Sequence, residues 1–340
     1  MKILITGCSG ALACPLANAL LAAGHQVIGV SRKPAMAAAK VDPAMQIIHW
    51  AQLTAGFLGL QRVDAIINLA GAPMMQRWNA QTKAAILGSR LDSVSILYGL
   101  LRQLPAHRRP ECVINASSVS IYSSRKLPVD EFSAVHADDA FFQSRVWHAV
   151  ESLINELQVP GVRTLITRLG LVIGADALMN RMLRLSRYYL GATMGDGTQR
   201  IGWIARRDMV RAFMHLLGDR QHEGVFNLVT PRPITAAQLT QGIARCVNRP
   251  VLFRIPGGLL RLLLGELAGN FLTSADAMPA RLQMARFHWS LPDFDLAMRS
   301  AASELGHRCA RKTEGERPES ALKPSSTEPV TEPVGTLRNH

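Results

Sequence analysis

The eight residues Thr6-Gly7-Cys8-Ser9-Gly10-Ala11-Leu12-Ala13 carry the first chemistry legible in the chain. They follow the β-forming run Lys2–Thr6 and open a helical pattern that has Pro15 near its first turn. Glycines at 7 and 10 let a backbone turn tightly and approach a bulky anion. The helix start behind them offers free N–H groups and the positive end of its dipole. A strand, a Gly-rich turn and a helix in that order form a pyrophosphate cradle, so Gly7, Ser9, Gly10, Ala11 and Leu12 are candidate ligands of a dinucleotide. Ala13 stands where the usual pattern has a third glycine, and it is still small enough for close helix–strand packing. The end of the second expected strand reads Val30-Ser31-Arg32-Lys33-Pro34. An acidic residue there would accept from a ribose 2′-hydroxyl. Here Arg32 offers a forked guanidinium and Ser31 a hydroxyl to a 2′-phosphate, which favours NADP(H) over NAD(H).

Positioning these groups requires strands that alternate with helices. Strands are expected over Lys2–Thr6, Gln26–Val30, Met45–His49, Ala65–Leu69, Cys112–Ala116 and Thr164–Leu169, with helices over Pro15–Ala23, about Ala80–Leu101, and Phe141–Leu157. Runs this uniformly apolar fit a parallel sheet buried on both faces, so the expected fold class is α/β, a doubly wound Rossmann sheet. Further on the pattern turns mainly helical: Met179–Leu190, Arg207–Leu217, Ala236–Val247, Gly258–Ala268 and Pro279–Phe287, with one short strand at Gly224–Leu228. The expected division is a dinucleotide-binding domain over 1–220, a small mainly helical C-terminal lobe over 221–300 on the substrate side, and a disordered tail over 306–340. That tail is rich in Glu, Pro, Ser, Thr and basic residues and nearly free of large apolar ones.

Composition narrows the function classes. With 340 residues, 48% hydrophobic and 19% charged, the chain has ample material for a core. The formal charge of +13 invites a nucleic-acid reading, but only seven of the 38 basic residues are Lys, and the arginines are scattered. No basic region, zinc finger or RNP signature is present, so no specific nucleic acid is expected. A diffuse excess of Arg suits an anionic small ligand. The cysteines at 8, 14, 112, 246 and 309 form no CxxC pair and read as reduced thiols of a cytoplasmic protein. Arg261 and Glu266 interrupt the apolar stretch over 255–272, which makes it a buried helix rather than a membrane span. The ten histidines lack metal-ligand spacing, and no metal is expected. The implied partner is a small-molecule substrate, and a homodimer is left open.

Longer motifs add a resemblance. TGxxGxxG at the N-terminus, Asn68-Leu69-Ala70-Gly71 after the fourth strand and Ala116-Ser117-Ser118 after the fifth resemble an extended short-chain dehydrogenase/reductase. More narrowly, the chain resembles the atypical branch called the epimerase family protein, or YfcH-like family. The matching residues are Asn68–Pro73, Arg77-Trp78, Lys83, Ser89-Arg90, Arg168–Gly174, Gly195, Gly197, Gln199, Trp203-Ile204, Asp208 and Gly224–Pro231. In the C-terminal domain of unknown function they are Arg249-Pro250, Pro256, Leu260–Glu266, Ala268, Pro279 and Arg281-Leu282. The resemblance spans about residues 1–300. It implies that Leu69, Ala70 and Gly71 flank the adenosine and ribose and that Gly170 and Leu171 border the nicotinamide. Departures fall around the expected substrate side: Ala72 for an acidic residue, Ala205 for a histidine, Ile121-Tyr122-Ser123 for YYG, and Leu190-Gly191-Ala192-Thr193 for a Gly-rich run.

Enzymes of this class use Ser, Tyr and Lys together: the Lys lowers the Tyr pKa, the Tyr relays a proton and the Ser polarises a carbonyl. Ser117 or Ser118 supplies the hydroxyl, with Ser117 preferred by the family register. The one literal Tyr-xxx-Lys match, Tyr122 to Lys126, sits in the loop after the strand instead of on the next helix. That helix carries Phe141 and Arg145 at the expected spacing, and a Phe has no proton to give. The candidate acid–base groups are therefore Tyr122, alternatively a packed aromatic, and Asp208, alternatively a cap of the helix starting near Arg207. His148, which replaces an acidic residue of the family pattern, is a third candidate, alternatively a residue of the helix surface. Two functions follow. One is an NADP(H)-binding oxidoreductase or epimerase-like enzyme acting on a small carbonyl or sugar-like substrate. The other is an NADPH-binding sensor or scaffold without catalysis.

Overall fold

Seven short runs dominated by Ile, Val and Leu cannot leave either face to water, and they solve the problem by pairing side by side. The structure is a computed structural model that describes residues 1–122, 128–136, 138 and 141–306. Residues 123–127, with Lys126 of the Tyr-xxx-Lys match, the tail beyond 306 and Cys309 lie outside the described residues. The elements in chain order are β1 (Lys2–Thr6), α1 (Ala13–Ala22), β2 (Gln26–Ser31), β3 (Gln46–His49), β4 (Ala65–Asn68), α2 (Ala80–Gln103), β5 (Cys112–Ser118), α3 (Phe142–Glu156), β6 (Arg163–Leu169), α4 (Ala177–Arg187), α5 (Arg206–Gly218), β7 (Gly224–Leu228), α6 (Ala236–Cys246), α7 (Gly257–Leu264) and α8 (Phe294–Glu304). The seven strands form one parallel sheet in the order β7-β6-β5-β4-β1-β2-β3.

Alternation along each strand feeds two cores. Ile3, Ile5, Ile67, Ile114 and Phe226 meet α1 and α5 on one face, through Leu16, Leu20, Phe213 and Leu216. Leu4, Ile66, Val113 and Ile166 meet α2 and α3 on the other, through Val94, Leu97, Val150 and Ile154. By length and composition α2 is the one helix among the described residues apolar enough to cross a membrane. Its stripe Ile86, Val94, Leu97, Tyr98 and Leu101 is instead buried on this second face. Polar side chains run through the middle of the sheet and satisfy one another. Thr6 Oγ1 donates to Asn68 Oδ1 (2.7 Å), and Asn68 Nδ2 donates to Asn115 Oδ1 and Ser93 Oγ (3.3 Å each). Asn115 Nδ2 in turn donates to the Tyr98 hydroxyl (2.9 Å).

The seventh strand follows residue 220, so the sheet runs past the boundary expected from sequence. The helical part is also assembled from both sides of that boundary. Ile173, Met179, Leu183 and Trp203 share one core with Ile243, Ala297, Met298, Ala301 and Ala302. Gly242 allows the crossing of α6 and α8, since a Cβ there would meet the Phe294 ring at 2.5 Å. Cys8, Cys14 and Cys112 are free thiols, and Cys246 is buried in the helical core.

Candidate functional site

Parallel pairing brings the C-terminal ends of β2, β1, β4, β5 and β6 to one edge of the sheet. The order reverses between β1 and β4, where open α/β sheets bind ligands. Gly7 leaves β1 with φ +65°, in the left-handed region, and a Cβ there would lie 2.7 Å from the Leu69 carbonyl oxygen and 3.0 Å from the Ala70 Cα. The turn is therefore seated directly on the segment that leaves β4. Thr6 fixes the two together: its Oγ1 accepts from the N–H groups of Leu69 and Ala70, at 3.2 Å each. The Gly10 N–H donates to the Gly7 carbonyl (2.9 Å), and Cys14 N–H donates to that of Gly10 (3.1 Å). Ser9, Gly10 and Ala11 are exposed, Leu12 is half-buried, and Ala13 is buried against the sheet. No side chain caps α1, and among the described residues its first turn holds no acidic group. An anion is the partner such an end lacks. The donor set and the missing Cβ of Gly7 thus fit a dinucleotide pyrophosphate.

Ser31 closes β2 half-buried, with its Oγ accepting from Lys33 N–H (3.1 Å), and Arg32 follows exposed. On the other side of β1, Leu69 and Ala70 are half-buried and Gly71 is exposed. The next residue is tied to α2, where Ala72 N–H donates to Ser89 Oγ (2.9 Å). Gly170 is required by packing, because a Cβ would lie 2.5 Å from the Gly202 carbonyl oxygen. Leu171 then pairs with Trp203 in a short parallel ladder.

The expected catalytic groups behave differently. Ser117 is buried and donates to Glu151 Oε1 at 2.5 Å. That carboxylate is already held by Arg168, Nε to Oε1 at 2.9 Å and Nη2 to Oε2 at 2.6 Å. Arg168 also donates from Nη1 to the Tyr122 hydroxyl (2.5 Å) and lies over its ring, 4.8 Å from the centroid. Tyr122 is buried, and its own proton goes to Asp130 O (2.9 Å) or Asn227 Oδ1 (3.1 Å). Burial pushes this phenol up, with Arg168 as the largest opposing influence. Ser117 and Tyr122 are thus members of a buried hydrogen-bonded array drawn from β5 and the turn after it, α3, β6 and β7. For Tyr122 the alternative reading, a packed aromatic, is the one the geometry carries.

Asp208 is likewise fully buried. Its carboxylate accepts from Ser290 N–H (2.8 Å), Ser290 Oγ (2.6 Å), Leu291 N–H (2.8 Å) and Arg211 Nη1 (3.1 Å). It does not cap its own helix, whose N-cap is Ala205. It clamps the segment before α8 to α5. Ser118, the neighbour of Ser117, points the other way: it is half-buried and accepts from Ser120 N–H (3.2 Å) and Ser120 Oγ (2.9 Å). His148 is half-buried on α3, and Arg145 is exposed. Sequence reasoning gave no role to Glu151, whose partners come from β5 and β6, nor to Arg90, although Ser89-Arg90 stands out in the motif pattern.

A seven-stranded parallel sheet with a Gly-rich β1–α1 turn at its switch point is the Rossmann fold of an extended short-chain dehydrogenase/reductase. The chain belongs to the NAD dependent epimerase/dehydratase family, which matches residues 3–228, and is followed by a domain of unknown function, DUF1731, over residues 255–301. It is 31% identical to the epimerase family protein ML0860 of Mycobacterium leprae, over 84% of this chain and 91% of that one. To the epimerase family protein YfhF of Bacillus subtilis it is 28% identical, over 88% and 97%. Among solved structures it is similar to human epimerase family protein SDR39U1 (isoform 2) with NADPH: TM-score 0.80, 28% identity, 89% of this chain and 99% of that one. A UDP-glucose 4-epimerase of Thermotoga maritima with UDP-glucose shares the fold at TM-score 0.73 and 14% identity, over 90% of this chain and 99% of that one.

Proposed function

We propose that this protein binds NADP(H) across the ends of β2, β1 and β4 and acts as an atypical short-chain oxidoreductase on a small carbonyl or sugar-like substrate. The observation that carries the reading is the Gly7 turn. It has no room for a Cβ against Leu69, and it opens an uncapped helix start flanked by exposed Arg32. In this reading Gly7, Ser9, Gly10, Ala11 and Leu12 hold the pyrophosphate, and Arg32 with Ser31 holds the 2′-phosphate. Leu69 to Gly71 line the ribose, and Gly170 and Leu171 border the nicotinamide. The dinucleotide supplies the hydride donor or acceptor. The chain supplies position, exclusion of water and one hydroxyl: Ser118 is the serine left to face a substrate oxygen, since Ser117 is spent on Glu151. The NADPH in the human relative's structure supports the cofactor assignment.

The burial of Ser117, Tyr122 and Asp208 favours a second reading, an NADPH-binding sensor without turnover. Titration calorimetry with NADPH and NADH tests the binding. NADPH is expected to bind more tightly, and Arg32→Ala to lose about tenfold on NADPH while leaving NADH unchanged, the worth of one charge-assisted contact. Equal binding of both by the unaltered protein would remove the 2′-phosphate argument, and binding of neither would remove the cofactor. Absorbance at the reduced-nicotinamide band with NADP and a panel of alcohols and nucleotide sugars then separates enzyme from sensor.

A further inference from the structure

Two part-buried or buried arginines flank the site, and the fold treats them differently. Arg168 meets both oxygens of Glu151. Arg90, on the third turn of α2, meets no carboxylate among the described residues. Its Nη1 donates to the carbonyls of Ala72 (3.1 Å) and Ile86 (2.9 Å), and its guanidinium lies 4.9 Å from the centroid of the Trp147 ring. A Cβ on Gly71 would sit 2.8 Å from Arg90 Cζ and 3.0 Å from Nη2, so the guanidinium rests directly against an exposed glycine. One edge and one face are thus fixed, while Nε and Nη2 donate to no acceptor among the described residues. Desolvation lowers this guanidinium to about 10. Gly71 is two residues beyond Leu69, the residue on which the Gly7 turn is seated. A fixed, preoriented cation with unused donors beside an anion cradle matches the fork geometry with which Arg takes phosphate oxygens.

We propose that Arg90 binds a phosphate oxygen of the diphosphate group taken up in this cleft, with Gly71 kept small so that the guanidinium reaches it. The proposal rests on the dinucleotide reading but is separable from it. The diphosphate has two sources, the dinucleotide itself or a nucleoside diphosphate carried by the substrate.

The test is calorimetry on the full chain and on Arg90→Gln, Arg90→Lys and Gly71→Ala, with NADPH, NADH, inorganic pyrophosphate, and uridine diphosphate added to NADPH-loaded protein. Near-ultraviolet circular dichroism checks each fold. Loss of one charged contact predicts a drop of about 10- to 100-fold in Arg90→Gln, partly recovered in Arg90→Lys. An equal drop for NADPH and NADH assigns the dinucleotide diphosphate, in contrast to Arg32→Ala, which moves NADPH alone. A drop confined to uridine diphosphate assigns the substrate's. Gly71→Ala keeps the charge but crowds it, is expected to weaken the same ligand, and carries the test if Arg90→Gln does not fold. If the original chain binds pyrophosphate through Arg90 but no dinucleotide, the anion site stands and the cofactor reading falls. Unchanged affinities in folded Arg90→Gln and Gly71→Ala for every probe that the original chain binds would overturn the proposal, as would a chain that binds none of the probes.

Discussion

The two halves of the sheet's C-terminal edge are built by opposite rules. At the ends of β1, β2 and β4 the backbone is held tightly while donors are left facing outward. Gly7 is locked on Leu69, yet Ser9, Gly10, Ala11 and Arg32 are exposed and α1 is uncapped. At the ends of β5, β6 and β7 the polar groups face one another. Ser117, Glu151, Arg168, Tyr122 and Asn227 form a buried chain in which each member is a partner of the next. Exposed groups in an ordered loop can still take a partner. A saturated buried array holds strands in place. The contrast teaches that residue type at the expected position does not fix how a side chain is used; its partners do.

The strongest way to break the comparison is Arg168→Met. It leaves the Glu151 carboxylate buried without its counter-ion, and the expected loss is about 3–5 kcal/mol of folding stability. Urea melts read it directly, with NADPH affinity per folded molecule unchanged. A loss under about 1 kcal/mol would mean the array is not structural, and Ser117 would return as a reactive group.

Tyr122→Phe makes a smaller change and sharpens the same contrast. Removing the hydroxyl takes a partner from Arg168 Nη1 and Asn227 Oδ1, at an expected cost of about 1–2 kcal/mol. If a substrate is found, turnover in folded Tyr122→Phe is expected to stay within a few-fold of the original. A proton relay would instead lose roughly 10²- to 10⁴-fold, and steady-state rates at fixed NADPH separate the two.

How far these two halves could be read from sequence follows from how local their causes are. The Gly7 turn and the exposed place of Arg32 after β2 were legible because a tight turn after a strand, and the residue at a strand's end, are short-range features. The strands Lys2–Thr6 and Gly224–Leu228 have the expected bounds for the same reason. Neighbouring Ser117 and Ser118 point to opposite faces by strand alternation, but which face is closed depends on Glu151 and Arg168, 34 and 51 residues further on. The role of Asp208 is set by Ser290, 82 residues away. The helix α8 was missed because its inner stripe is Ala297, Met298, Ala301 and Ala302, mostly small residues with a weak pattern. The signal present was its cap, Asp293, which accepts from Leu296 N–H at 2.9 Å. The ladder of Leu171–Ile173 with Trp203–Ala205 is three residues long, too short for any periodicity to show.

The smallest effect locates the acid sensitivity of the fold relative to the closed array. His222 lies before β7, with its Nε2 3.3 Å from that of His215 and 3.4 Å from an Asp219 oxygen, and its ring edge-on to Phe226. Desolvation lowers its pKa below the ordinary 6.5, against the pull of Asp219. The unfolded chain, with the ordinary value, binds more protons in the interval between the two. Stability is therefore full above about pH 6.5 and is lost as the pH falls through the native value. Melting temperatures measured from pH 8 down to 5 should decline on the acid limb, and His222→Gln should flatten that decline by less than Tyr122→Phe lowers the melting temperature at pH 8. A limb that keeps its slope in His222→Gln would remove His222 as the source of the acid sensitivity.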